Sequence, residues 1–205
     1  MKSQFSKIFQ LPALEAAPKL LGCVLARQIS TGVMRLKIVE TEAYHQDDPA
    51  SHSFRGATAR TAPMFKAGGR LYIYFTYGMH YCINIVTGKA GVGEAVLLRA
   101  AEPLEGIEAM QNNRGGVVDI YNLANGPGKL AQALGIKDTS LSGKILSKSS
   151  IYLELPQAPV KADKIVTSPR IGIRQAADVP WRFYLKDDPF VTKHRYNKSN
   201  DTIKN

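Results

Sequence analysis

Residues 23–44, CVLARQISTGVMRLKIVETEAY, decide the fold. The run breaks at Thr31-Gly32, a turn signal, and so reads as a hairpin. In its second arm Met34, Leu36 and Ile38 share one face of a strand. The same parity carries Glu40 and Glu42 onto that face if the strand stays regular. An apolar face that ends in two carboxylates is either a strand end leaving the core, with both acids solvated, or the rim of a site.

Working outward, residues 11–21 place Leu14, Ala17 and Leu21 at helical spacing. Pro12 suits a first helical turn, Pro18 should distort the helix or mark its true start, and Gly22 ends it. Residues 45–66 are polar and irregular, with Pro49, Gly56 and Pro63. That is long for a mere connection and predicts a site wall. Residues 71–76 form a strand with Tyr72 and Tyr74 on one face and Leu71, Ile73 and Phe75 on the other. A further strand covers 81–86, and the tip between them is Tyr77-Gly78-Met79-His80. Residues 96–100 read as a strand followed by Pro103 and a helix over 104–113. Gly126-Pro127 opens a helix over 129–134 that Gly135 closes. Short strands are expected at 151–155, 170–173 and 182–185, and a polar, frayed tail at 193–205. Strands dominate without βαβ alternation, which predicts an α+β fold with a largely antiparallel sheet.

The 205 residues are 44% hydrophobic, enough for one domain with a real core, assigned to residues 1–192. No stretch approaches the roughly 20 apolar residues of a membrane span, and no secretory leader is visible. Cys23 and Cys82 make no disulfide framework and fit a reducing cytoplasm, so a cytoplasmic protein is expected. Net charge is +10, with most of the excess after residue 120. Such a chain suits a polyanion, although basic charge also serves solubility alone.

Several side chains carry chemistry. A hairpin tip usually bears small polar residues, whereas this one offers Tyr77, Met79 and His80. They serve either as a wedge between stacked bases or as packing under a neighbouring loop. Tyr44, His52, Tyr72 and Tyr74 are either a core cluster or a pocket that stacks a flat ring. Glu42, two residues before Tyr44, is placed to deprotonate water and to offset positive charge on a sugar. Arg99 on its strand can orient that water or form an ordinary ion pair. Asn125-Gly126-Pro127-Gly128-Lys129 resembles half of a phosphate loop but is not one: the full spacing is missing, and Leu130 stands where Ser or Thr would follow. A helix start beside Lys129 can still hold a phosphate. The histidines and cysteines lack metal-ligand spacing, so neither metal nor cofactor is expected.

Taken together the segments resemble the alkyladenine (3-methyladenine, methylpurine) DNA glycosylase family. The pieces are LLG at 20–22, IVETEAY at 38–44, His52-Ser53, Met64-Phe65, LYIYFTYGM at 71–79, Asn84-Ile85, VLLRAAEPLEG at 96–106, GPGKL at 126–130, RIGI at 170–173 and RFY at 182–184. They keep family order over about residues 11–192.

The resemblance implies a single compact domain around a curved, barrel-like antiparallel sheet with flanking helices and no helix-hairpin-helix. It implies a monomer that acts on double-stranded DNA carrying a damaged purine. The activity implied is hydrolysis of the N-glycosidic bond of 3-methyladenine, 7-methylguanine, hypoxanthine or ethenoadenine, without lyase chemistry. Glu42 matches the general base; Arg99 and the main-chain carbonyl of Ile171 match the groups that hold the water. Tyr44, His52 and Tyr74 match the walls around the flipped base, and Asn84 the residue that rejects guanine. Tyr77 matches the intercalating side chain, with Met79 and His80 beside it. Two stretches depart: His80 stands where vertebrate members carry Tyr, and Arg60-Thr61-Ala62-Pro63 replaces an Arg-Asn-Arg run. The competing readings are a non-catalytic nucleic-acid-binding module on the same scaffold and a hydrolase of free nucleosides.

Overall fold

The computed structural model describes residues 7–197. Helix α1 (Ala13–Leu20) buries Ala13, Ala16, Ala17 and Leu20, one face at helical spacing. Pro18 sits inside this helix rather than at its start. Glu94 accepts the Ala13 amide hydrogen at 2.6 Å, which satisfies one of the open N-terminal donors. The expected hairpin is β1 (Val24–Ile29) and β2 (Gly32–Tyr44). It is followed by β3 (Leu71–Thr76), β4 (His80–Val86) and β5 (Ala95–Glu105). Helices α2 (Ile107–Asn113) and α3 (Pro127–Ala133) come next. Short strands β6 (Ile151–Glu154), β7 (Ile165–Ser168) and β8 (Arg182–Leu185) complete the fold.

Every strand pairing is antiparallel. The sheet runs β3-β4-β5-β2-β1-β6, with β8 joining β2 and β7. Strand β2 is the spine. One of its edges pairs with β5; the other is shared, residues 32–37 by β1 and Glu40–Glu42 by β8. The sheet curls into a half-barrel, and α1 and α3 pack on one side of it in a core with Leu36, Ile38, Ile73, Ile83 and Leu98. Among the described residues no helix is long and apolar enough to cross a membrane. The α+β architecture expected from the sequence is the one observed.

Three local expectations are corrected. The β2–β5 register shifts between Ile38 and Glu40 and again between Glu40 and Thr41. Ile38 and Ala43 lie in the main core, and Thr41 donates its hydroxyl to the Ala17 carbonyl of α1 at 3.1 Å. The irregularity therefore turns Glu40 and Glu42 to the face opposite Met34, Leu36 and Ile38, because one extra residue inverts the parity of all that follow. Secondly, residues 104 and 105 continue β5, with Glu105 opposite Arg35, and α2 starts only after Gly106, whose φ of 73° makes the corner. Thirdly, residues 170–173 are not a strand; the strand lies earlier, as β7, and pairs with β8. Arg170 instead buries its side chain in the fold, as described below. Of the polar tail, residues 193–197 are described, and Asn197 accepts a hydrogen bond from Arg182 at 2.9 Å; residues 198–205 lie outside the described part.

Candidate active site

The inverted face of β2 builds the site. Glu42 is fully buried. Its Oε1 accepts the Ile171 amide hydrogen at 2.7 Å and lies 3.3 Å from Nη1 of Arg99. Its Oε2 accepts the Tyr44 hydroxyl at 2.8 Å. Arg99 comes from β5 and divides its guanidinium between two acids: Nε donates to Glu40 at 3.0 Å, and Nη1 points to Glu42 and to the Ile171 carbonyl at 3.5 Å. Glu40 also receives Arg182 Nε at 2.6 Å and the Thr192 amide at 2.8 Å. Two carboxylates and two guanidiniums are thus buried together and neutralise one another, which is the condition for burying them at all. Burial alone would raise Glu40, but Arg99, Arg182 and the Thr192 amide outweigh it and hold the carboxyl below its ordinary range. Burial would lower Arg99, and Glu42 and Glu40 reverse this and keep it charged.

Beside this cluster opens a cavity of about 290 Å³, lined by Tyr44, His52, Tyr74, Asn84, Arg99 and Ile171 among others. Its volume is at the low end of ligand pockets. Period-two alternation in β3 puts Leu71 and Ile73 in the core and Tyr72 and Tyr74 on the cavity side. His52 meets Tyr74 edge-on with ring centroids 4.5 Å apart, and its Nδ1 shares a 3.0 Å hydrogen bond with the Tyr72 hydroxyl. His52 is partly exposed, yet desolvation of its ring against these tyrosines, and then Arg60, pushes it down to about 4, so the ring is neutral at pH 7. Burial, then Glu42, raises Tyr44 well above the usual phenol range, and its hydroxyl stays protonated as a donor. Asn84 is buried on β4 and donates its amide to the Tyr72 carbonyl at 3.0 Å.

The tip stands at the cavity mouth. Tyr77 and Met79 are 77% and 69% exposed, so neither is packed under a loop. Tyr77 also lines the cavity and holds a left-handed φ of 53°, unusual for a non-glycine residue. His80 is exposed as well; it opens β4 opposite Thr76 and lies beside Gly128, where a Cβ would come within 3.0 Å of its ring. A side chain at Gly128, at the start of α3, would push against the exposed His80 ring. The Lys129 ammonium is held by the side-chain carbonyls of Asn122 and, at 2.9 Å, Asn125, so it is engaged within the fold.

The sequence reading missed several parts of this arrangement. Fully buried Arg170 forms a two-pronged pair with Asp48, Nη2 to Oδ1 at 3.0 Å, and donates to the Ala43 carbonyl at 3.1 Å. Its guanidinium lies over the rings of Tyr44 (4.7 Å) and Trp181 (5.0 Å). It fixes the segment that delivers Ile171 to Glu42. Arg170 and Arg182 were visible as parts of short motifs, but nothing local named Asp48 and Glu40 as their partners. Cys82 lines the cavity as a free thiol, and burial raises its pKa. No group of three or more potential metal ligands occurs among the described residues.

The family model described as methylpurine-DNA glycosylase matches residues 7–189. A relative from Carboxydothermus hydrogenoformans, provisionally named a 3-methyladenine DNA glycosylase, is 48% identical over 88% of this chain and 93% of its own. A similarly named protein of Francisella tularensis is 47% identical over 91% and 96%. One from Methanoculleus marisnigri is 44% identical over 90% and 96%. With a family match across nearly the whole described chain, and relatives matched over nearly their full length, the chain belongs to the methylpurine-DNA glycosylase family of DNA-repair hydrolases.

Proposed function

We propose that this protein, acting as a monomer, extrudes an alkylated or deaminated purine from duplex DNA and hydrolyses its N-glycosidic bond with a water activated by Glu42. The observation that carries the reading is the position of the Glu42 carboxylate. It is buried, and its three donors Tyr44, Arg99 and Ile171 all line the aromatic cavity.

In this reading the basic surface follows the phosphates, and Tyr77 with Met79 enters the stack and fills the space the base leaves. Extrusion costs on the order of a few kcal/mol and less for a damaged or mispaired base, which contributes selectivity. The purine sits between Tyr44, Tyr74 and His52, with Asn84 at its edge to reject guanine's exocyclic amine. Glu42 is sealed by its donors, so water reaches it as the longest contact, that of Arg99 at 3.3 Å, opens. The water then lies between Glu42, Arg99 and the Ile171 carbonyl. Its oxygen bonds to the anomeric carbon as the C–N bond breaks. The bonding pair leaves with the purine, and the water proton passes to Glu42. Glu42 also offsets the positive charge that develops on the sugar. The amine nucleophile of a lyase has no part in this scheme, so the product is an intact strand with an abasic site.

The test is a duplex with a single hypoxanthine or 7-methylguanine. Free base should appear, and strand breaks should follow only on treatment with alkali. Breaks without alkali would overturn the monofunctional part of the reading, and release of bases from free nucleosides at comparable rates would favour a small-molecule hydrolase.

A further inference from the structure

Behind the cavity lining, against Tyr74, lies a cation with no part in the hydrolysis described above. The Arg60 guanidinium lies 5.3 Å from the centre of the Tyr74 ring and reaches the Phe75 carbonyl at 3.5 Å. It also lines, with His52 and Arg55, a second cavity of about 390 Å³, and His52 lines both cavities. Among the described residues no carboxylate lies within ion-pair distance of Arg60. Its positive charge is therefore not cancelled locally. Arg60 also lies near enough to the partly exposed His52, which lines the same pocket wall, to lower its pKa further after desolvation against Tyr72 and Tyr74. Glu42, whose donors line the cavity, is already shared with Arg99.

Damaged purines fall into two electrostatic classes. Alkylation at a ring nitrogen leaves a cationic base, whereas deamination or etheno-bridging leaves a neutral one. An aromatic pocket by itself favours the cation, through the negative face of its rings. Here that face of the site already has a cation beside it. Resting on the glycosylase reading, we infer that Arg60 is a specificity-determining residue that penalises cationic purines relative to neutral ones in the Tyr74–His52 pocket. Like charges a few ångströms apart at a partly solvated site repel enough to change a rate ratio on the order of tenfold, and added salt narrows the effect.

The experiment compares single-turnover release of 7-methylguanine and of hypoxanthine from otherwise identical duplexes by wild type, Arg60→Gln and Arg60→Lys. The methylguanine-to-hypoxanthine ratio should rise about tenfold in Arg60→Gln and stay within about twofold of wild type in Arg60→Lys. A ratio lets any general loss of DNA affinity or folded protein cancel. If Arg60→Gln slows both substrates equally, Arg60 is a phosphate contact and the inference is overturned. Equilibrium binding of the same two duplexes reads the same ratio without chemistry. Should wild type release neither base, the glycosylase reading fails, while the binding ratio still decides the role of Arg60.

Discussion

The Ile171 amide donates to Glu42 at 2.7 Å across 129 positions of sequence. The candidate base is thus positioned by a loop from the far end of the chain. That loop is held in turn by its neighbour Arg170, buried against Asp48, Tyr44 and Trp181.

This dependence makes Asp48→Ala a severe change. It leaves the fully buried Arg170 guanidinium without its anion, a loss of about 3–5 kcal/mol where one partner of a buried pair is removed. Urea unfolding should show that loss, and the folded remainder should excise bases more slowly because Ile171 is no longer fixed. A change under about 1 kcal/mol would mean that the pair is not what holds the loop.

Tyr77→Ala should separate stability from function. The side chain is 77% exposed, so thermal unfolding should shift by no more than about 0.5 kcal/mol equivalent. Base release from a fully paired duplex should fall by about tenfold or more, since unstacking costs a few kcal/mol. Release from single-stranded DNA should fall much less. Equal losses on both substrates would remove the wedge role.

His52 should titrate near pH 4 in the folded protein, as followed by NMR of its ring protons. The folded value lies below the usual 6.5, so between the two the unfolded chain binds more protons than the folded one. The neutral ring's contribution to stability is therefore complete above about pH 6.5 and is lost as pH falls through about 4. Arg60→Gln should move the midpoint upward. A midpoint near 6.5 in the native protein would show that the ring is not packed against Tyr72 and Tyr74 as described.

Much of this site was legible from alternation alone. Leu71 and Ile73 against Tyr72 and Tyr74 divide into core and cavity because the period of a regular strand is two. Glu40 and Glu42 were misplaced for the same reason: the β2–β5 irregularity around Val39 and Glu40 leaves no compositional mark, and parity arguments fail beyond it. Pairing across the fold was equally hidden. Asp48 meets Arg170 across 122 positions, and only the tertiary structure brings them together. Ile171 meets Glu42 through its backbone amide, so its side-chain type says nothing of the contact, and only the family resemblance pointed to the position. That Asn122 and Asn125 accept from Lys129 was hidden as well, since it depends on how the turn before α3 folds back.

The central claim is that Glu42 performs the chemistry while the aromatic pocket and tip perform recognition. The most direct test is single-turnover release of hypoxanthine from a duplex by wild type and Glu42→Gln, alongside the affinity of each for that duplex. The account predicts binding within about threefold of wild type and a loss of release of at least 10²-fold, the lower range for removal of a general base. Release by Glu42→Gln at a rate near wild type would contradict it, and so would a wild type that binds the damaged duplex tightly and releases nothing, which would leave a binding module on this scaffold.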